Sequence, residues 1–180
     1  MSLKKDNHNS SEKKIMNFAI NLAENNKYVT GTNPSVGCVI VKDKKILSYA
    51  STHQGGRPHA ENIALKKSKN NKGAYLFSTL EPCSHHGVTP PCTNTIIKNS
   101  IKKVYYSIED KDLRTFNKTK KILNSKKIIV KSGLQKDSVL KLYKEYNYIR
   151  SKKAAYIIGK IASSLNLNIL KNKTPITNEH

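Results

Sequence analysis

Three residues, His59, Cys83 and Cys92, constrain this chain more than any other part of its sequence, because they are of use together only if the fold brings them to one point. One imidazole and two thiols are ligands of the kind that suit Zn²⁺. A set of three rather than four leaves one tetrahedral position for water, as catalytic zinc sites require. Bound zinc lowers the pKa of such a water toward ~7. Each ligand is predicted at the end of a regular element. His59 follows Pro58 and opens a helix over 59–67, with Ile63 and Ala64 inward. Residues 74–80 are predicted as a strand whose end delivers Glu81-Pro82-Cys83. Pro90-Pro91 starts the next helix, where a missing N–H costs nothing, so Cys92 falls in its first turn. Both helix N-termini then face the ligands, and their partial positive charge favours thiolate over thiol.

The rest of the chain reads as alternating elements around that point. Ile15, Phe18, Ala19, Leu22 and Ala23 recur at helical spacing and predict an amphipathic helix from Ser11 to about Asn25-Asn26. Cys38-Val39-Ile40-Val41 is an apolar run of strand length, Lys42-Asp43-Lys44-Lys45 a turn, and 46–51 the returning strand of a hairpin. A fourth strand is predicted at 104–108, a helix at 118–123 and a fifth strand at 128–130. After Gly133, Val139, Leu142, Tyr143 and Tyr146 mark one last amphipathic helix. Strands alternating with helices after a hairpin predict an α/β domain with helices on both faces of a mixed sheet. Its active residues are expected at the carboxyl ends of the central strands.

The motif residues carry a resemblance. His59-Ala60-Glu61 followed by Pro82-Cys83 is similar to the H-x-E and P-C-x-x-C signature of the zinc deaminases. Here eight residues, not two, separate the cysteines. The string Leu80-Glu81-Pro82-Cys83-Ser84-His85-His86-Gly87-Val88-Thr89-Pro90-Pro91-Cys92 resembles one branch of that superfamily. The branch is the deaminase half of the bifunctional riboflavin-biosynthesis deaminase/reductase. The resemblance covers roughly residues 12 to 165. It implies a cytidine deaminase-like three-layer αβα sandwich with a mixed five-stranded sheet and one zinc per chain. The implied reaction is hydrolytic deamination of a 5′-phosphoribosylated diaminopyrimidinone, with Glu61 as proton shuttle. It also implies substrate contacts at Asn33, His53, Ala60, Asp110 and Asp112. A structural zinc site would need a fourth ligand, for which His85 and His86 are the candidates; the family uses neither in that way.

Three departures from the family pattern concern the grip on substrate. Val88 stands where family members usually carry Lys or Arg, a residue suited to the phosphate. Lys111 replaces the proline common after Asp110, and Thr115-Phe116-Asn117 stands where a Gly-x-Gly is usual. Arg57, Arg114 or nearby Lys side chains are the candidates to supply the missing charge. Arg114, beside Asp110 and Asp112, is the first choice among them.

Composition bounds the other readings. A deaminase domain is expected over 1–150, with 1–10 frayed. Residues 151–180 read as a stub similar to the first strand of a reductase domain, plus a tail. No Gly-rich dinucleotide fingerprint is present, so no NADPH site is expected in this chain. No apolar run reaches the ~20 residues that span a bilayer, and no signal-peptide core opens the chain. Cys38 reads as a small buried hydrophobe, which with two cysteines on a metal implies a reducing, cytoplasmic setting. The formal net charge of +21 points toward nucleic acid. However, only three of the 33 basic residues are arginine, the side chain favoured for phosphate and base contacts. A solvated Lys-rich surface is the preferred reading. The expected partner is a phosphorylated pyrimidine substrate, with a homo-oligomer or a separate reductase left open. The competing functions are a nucleoside or tRNA deaminase and a non-catalytic zinc-stabilised remnant.

Overall fold

Side chains that alternate in and out of a pleated strand need a helix on each face, and the chain supplies both. The computed structural model describes residues 9–160. Helix α1 (Ser10–Asn25) leads into the hairpin β1 (Gly37–Lys42) and β2 (Lys45–Ser51). Helix α2 (Ala60–Lys67), β3 (Tyr75–Leu80), α3 (Cys92–Lys98), β4 (Lys103–Ile108), α4 (Thr119–Ser125) and β5 (Ile129–Ser132) follow. Two short helices, α5 (Lys136–Leu142) and α6 (Lys144–Lys152), close the described chain. The sheet order is β2-β1-β3-β4-β5. β1 is antiparallel to both β2 and β3, while β3, β4 and β5 are parallel. Helices α1 and α5 pack together on one face; α2, α3 and α4 pack in succession on the other.

Local chemistry accounts for the joints. Asp43 and Lys44 both have positive φ, as a two-residue hairpin turn between right-twisted strands requires. The side chain of Asn9 accepts from the Ser11 N–H and caps α1. At the start of β1, α1 comes so close that a Cβ on Gly37 would lie 1.8 Å from the Ala19 carbonyl oxygen. The central strands are buried except at their outer ends, with Val39, Ile40, Leu76, Phe77, Val104 and Tyr105 at the middle of the core. Phe77 and Tyr105 stack face to face at 4.5 Å across the parallel β3–β4 pair.

The single helix predicted after Gly133 is two. The chain turns at Tyr143, whose hydroxyl is tied to the Thr79 hydroxyl at 2.6 Å and to the Ser35 carbonyl oxygen at 2.9 Å. Holding that fully inserted ring breaks the helical register, and α6 continues with no buried residue of its own. Pro91 caps α3 from outside instead of lying in its first turn. Of the reductase-like strand expected from Ala154, residues 154–160 take no regular structure and 161–180 lie outside the described residues, as does 1–8 of the frayed start.

Candidate active site

The parallel strands β3 and β4 end side by side, and the loops that leave them form one wall of a narrow cleft. The other wall is the loop before β1 and the N-terminus of α2. His59 is the N-cap residue of α2, Cys83 lies three residues past the end of β3, and Cys92 is the first residue of α3. The His59 Nδ1 is 3.6 Å from the Cys83 Sγ and 3.4 Å from the Cys92 Sγ. All three ligand atoms lie within 4.8 Å of one another. Tetrahedral ligands about 2.0 Å (N) and 2.3 Å (S) from zinc stand roughly 3.5 Å apart, so the trio has the spacing the ion needs. His85, one candidate fourth ligand, is bonded through Nδ1 to the Thr115 hydroxyl at 2.9 Å, and His86 is exposed.

The electrostatics of the trio are unequal. The Cys83 thiol is pulled down to about 4 by its hydrogen bonds with Cys92 and His59. The Cys92 amide also donates to its sulfur at 3.2 Å. Cys92 is pushed well up by the same shared hydrogen bond and by burial. One thiolate is therefore standing, and the second proton must leave when a metal binds. Glu61, in the first turn of α2, is 3% exposed, and burial pushes its carboxyl up to about 7. Its Oε2 has no hydrogen-bond partner among the described residues. A buried carboxylate oxygen facing a cleft without a partner is costly unless a ligand supplies the proton it lacks.

The residues expected to touch substrate divide. Asn33, Asp110, Asp112 and Arg114 line the cleft with the trio and Glu61. Asn33 is held by its amide donating to the Gly56 carbonyl oxygen at 3.3 Å. Gly56 has φ of 87°, and a Cβ there would lie 2.5 Å from the Asn33 Nδ2, so this contact needs glycine. His53 does not line the cleft. It is exposed, with Nδ1 2.8 Å from the Gln54 carbonyl oxygen. Ala60 is fully buried at the first turn of α2 and has only its backbone N–H to offer. Arg114 is already engaged: its Nε and Nη2 grip the Asp112 carboxylate at 2.5 to 3.1 Å. Val88 is 87% exposed at the tip of its loop.

Sequence reasoning passes over several residues of this cleft. Glu81 is 2% exposed, and its carboxylate accepts three backbone N–H groups at 3.2 Å, from Asp110, Asn117 and Thr119. It ties the loop carrying Asp110 and Asp112 to the strand end that carries Cys83. The signal is present, since a carboxylate just past a buried strand needs donors. Tyr146 donates to the Asp110 carboxylate at 2.9 Å. Arg150, expected at the domain's edge, reaches within 4.0 Å of Asp112 and lines the cleft as well.

Known proteins share this arrangement of sequence and fold. The sequence model described as the cytidine and deoxycytidylate deaminase zinc-binding region matches residues 9–108. The chain belongs to this deaminase family. Among curated deaminase relatives, the riboflavin biosynthesis protein RibD of Bacillus amyloliquefaciens is 38% identical over 155 residues, covering 86% of this chain and 42% of that protein. The diaminohydroxyphosphoribosylamino-pyrimidine deaminase of Buchnera aphidicola subsp. Schizaphis graminum is 42% identical over 120 residues, covering 66% of this chain and 82% of that one. The solved structure of Acinetobacter baumannii RibD superposes with a TM-score of 0.80 at 37% identity, over 87% of this chain and 44% of that chain. The chain thus spans about two fifths of the RibD proteins it matches and most of the Buchnera deaminase. No helix among the described residues is long and apolar enough to cross a membrane.

Proposed function

We propose that this deaminase-family chain hydrolyses the 2-amino group of 2,5-diamino-6-(5-phosphoribosylamino)pyrimidin-4(3H)-one. The products would be ammonia and 5-amino-6-(5-phosphoribosylamino)uracil, within riboflavin biosynthesis in a cytoplasmic setting. The observation that carries the reading is the buried, unpartnered Glu61 oxygen beside three ligand atoms at zinc-site spacing. The activity for which the Buchnera relative is named supports the choice of substrate. Zinc held by His59, Cys83 and Cys92 would supply a water acidic enough to attack at neutral pH.

The chain's own groups do the rest. Glu61 accepts one proton of the attacking water and passes it to the ring nitrogen. It then takes the proton of the hydroxyl added to the ring carbon and gives it to the amino group, which leaves as ammonia while the carbonyl forms. Such proton transfer contributes ~10²–10⁴ in rate. The depth of Glu61 keeps bulk water from competing for the proton, and its raised pKa suits a group that must both take and give one. Asn33 on one wall and Asp110 and Asp112 on the other orient the ring and ribose. The experiment is direct: the purified, zinc-loaded chain is given this substrate, and ammonia release is measured with zinc content. Release of about one ammonia per substrate supports the reading; a zinc-loaded protein that releases none rejects it.

A further inference from the structure

Three arginines, Arg57, Arg114 and Arg150, are among the residues that line the cleft. They are not equivalent. Arg114 is locked onto Asp112 by three bonds, and Arg150 leans on the same carboxylate from 4.0 Å while stacking over the Tyr146 ring at 5.4 Å. Arg57 makes no ion pair among the described residues. Its one side-chain bond is neutral, from Nη1 to the Thr89 hydroxyl at 2.8 Å. A guanidinium has five N–H donors in a rigid fork. Most of this fork is therefore uncommitted, half-buried, and turned into the cleft.

None of the cleft's acids, Glu61 included, forms an ion pair with it among the described residues. Glu81 is satisfied by three amides, Asp110 by Tyr146 and the Asp112 N–H, and Asp112 by Arg114. The loop over Arg57 is shaped for it. Gly87 leaves the guanidinium its space, because a Cβ there would sit 3.2 Å from the Arg57 Nη2. Thr89 fixes the fork from the side. An unpaired, pre-oriented guanidinium beside a ligand cleft is the arrangement that takes two oxygens of a phosphate at once.

We infer that Arg57 is the residue that holds the anionic, phosphorylated end of the substrate, with Gly87 and Thr89 setting its fork. The inference rests on the proposed deamination for the identity of the substrate, but not for the existence of the anion subsite. It moves the phosphate grip from Arg114, the first choice on sequence, to the opposite wall of the cleft. It also makes the exposed position of Val88 immaterial, because the charge arrives from Arg57 beneath that loop.

The test compares KM and kcat for wild type, Arg57→Gln, Arg57→Lys and Arg150→Gln, each zinc-loaded, on the phosphorylated substrate and its dephosphorylated riboside. Ribose 5-phosphate binding is measured by calorimetry in parallel. Loss of a charge-assisted pair is expected to raise KM for the phosphorylated substrate by about ten- to a hundredfold in Arg57→Gln. The riboside should change less than about twofold, since it lacks the group that Arg57 holds. Arg57→Lys, which keeps charge but not the fork, should recover part of the loss, and ribose 5-phosphate should bind wild type but not Arg57→Gln. Equal losses on both substrates would overturn the inference and leave Arg57 a prop for the 84–91 loop. It is also overturned if Arg150→Gln carries the discrimination instead. That would place the phosphate in the cavity of about 630 Å³ between residues 27–35 and helices α5 and α6. If wild type deaminates neither substrate, the proposed function fails, and the calorimetry still decides the anion subsite.

Discussion

His59, Cys83, Cys92 and Glu61 stand at or just beyond the ends of helices and a strand, whereas Arg57, Asp110, Asp112 and Arg114 stand on loops. The first group is buried or half-buried and owes its placement to the packing of α2 and α3 against the sheet. The second is held by hydrogen bonds from one loop residue to the next: the Asp112 N–H to Asp110, and the Arg114 N–H to Asp112, each at 3.0 Å. Chemistry that cannot tolerate displacement is anchored to regular elements, and recognition is entrusted to loops fastened at few points. The contrast predicts that changes on the metal side act on zinc and kcat, while changes on the rim act on KM.

Cys83→Ala tests the metal side hardest. It removes the standing thiolate and its bonds to His59 and to the Cys92 amide. Two remaining ligands are too few for a stable zinc site. Zinc content is expected to fall below about a tenth of one ion per chain. Deamination should fall by more than about 10⁴, beyond what proton transfer alone contributes. Metal analysis of the purified variant checks it, and full zinc occupancy would remove Cys83 from the ligand set.

Glu61→Gln preserves shape but not the ability to accept a proton. Zinc content should be unchanged and kcat reduced by at least ~10². A variant that keeps near-normal turnover would show that another group moves the proton.

The same contrast explains which parts of the molecule are legible in its sequence. Hydrophobic periodicity locates all five strands and every helix through α4 to within a few residues, because each has a buried face and a clear stop. The three candidate ligands and Glu61 stand out in the sequence because their types and spacings have few other uses, and the fold brings the three ligand atoms within 4.8 Å of one another. The rim is not. Whether Arg57, Arg114 or Arg150 meets an acid depends on loops folding back on one another, and no periodicity records that. His53, expected at the substrate, sits exposed on the loop before α2. The break at Tyr143 is hidden because its ring keeps the apolar pattern while its hydroxyl answers to Thr79 and Ser35, far away in sequence.

Glu81 joins the two halves, so its loss should affect the rim without stripping the metal. Glu81→Gln replaces a carboxylate that accepts three N–H groups through both oxygens with an amide that keeps one acceptor oxygen and turns an NH2 donor toward the rest. Stability of the zinc-loaded protein should fall by roughly 3 kcal/mol, the cost of lost charge-assisted bonds and stranded buried donors. Zinc content should hold, and KM should rise more than kcat falls as the 109–118 loop loosens. Denaturant titration and steady-state kinetics measure the two effects. Loss of zinc in this variant would mean that Glu81 serves the ligands rather than the loop.

Arg114→Ala should have the smallest effect. The Arg114 side chain is 60% exposed, although the Asp112 side chain it grips is only 10% exposed, and ion pairs open to solvent on one side contribute roughly 0–1 kcal/mol. What the pair does is hold the Asp112 carboxylate, whose pKa it keeps well below the usual carboxylate range. Without Arg114, Asp112 keeps its charge at neutral pH but loses its direction, and Arg150 stands close enough to take over part of the pairing. Stability should change by less than about 1 kcal/mol. KM should rise by a few-fold at most, and by the same factor for the phosphorylated substrate and its riboside, because the contact proposed for Asp112 is to the ribose and not to the phosphate. That equality is the signature that separates the two walls: Arg57 is expected to discriminate by phosphate, and Arg114 is not. If Arg114→Ala weakens only the phosphorylated substrate, its bond to Asp112 is not maintained in the substrate complex, and the guanidinium swings from the acid to the phosphate when substrate arrives.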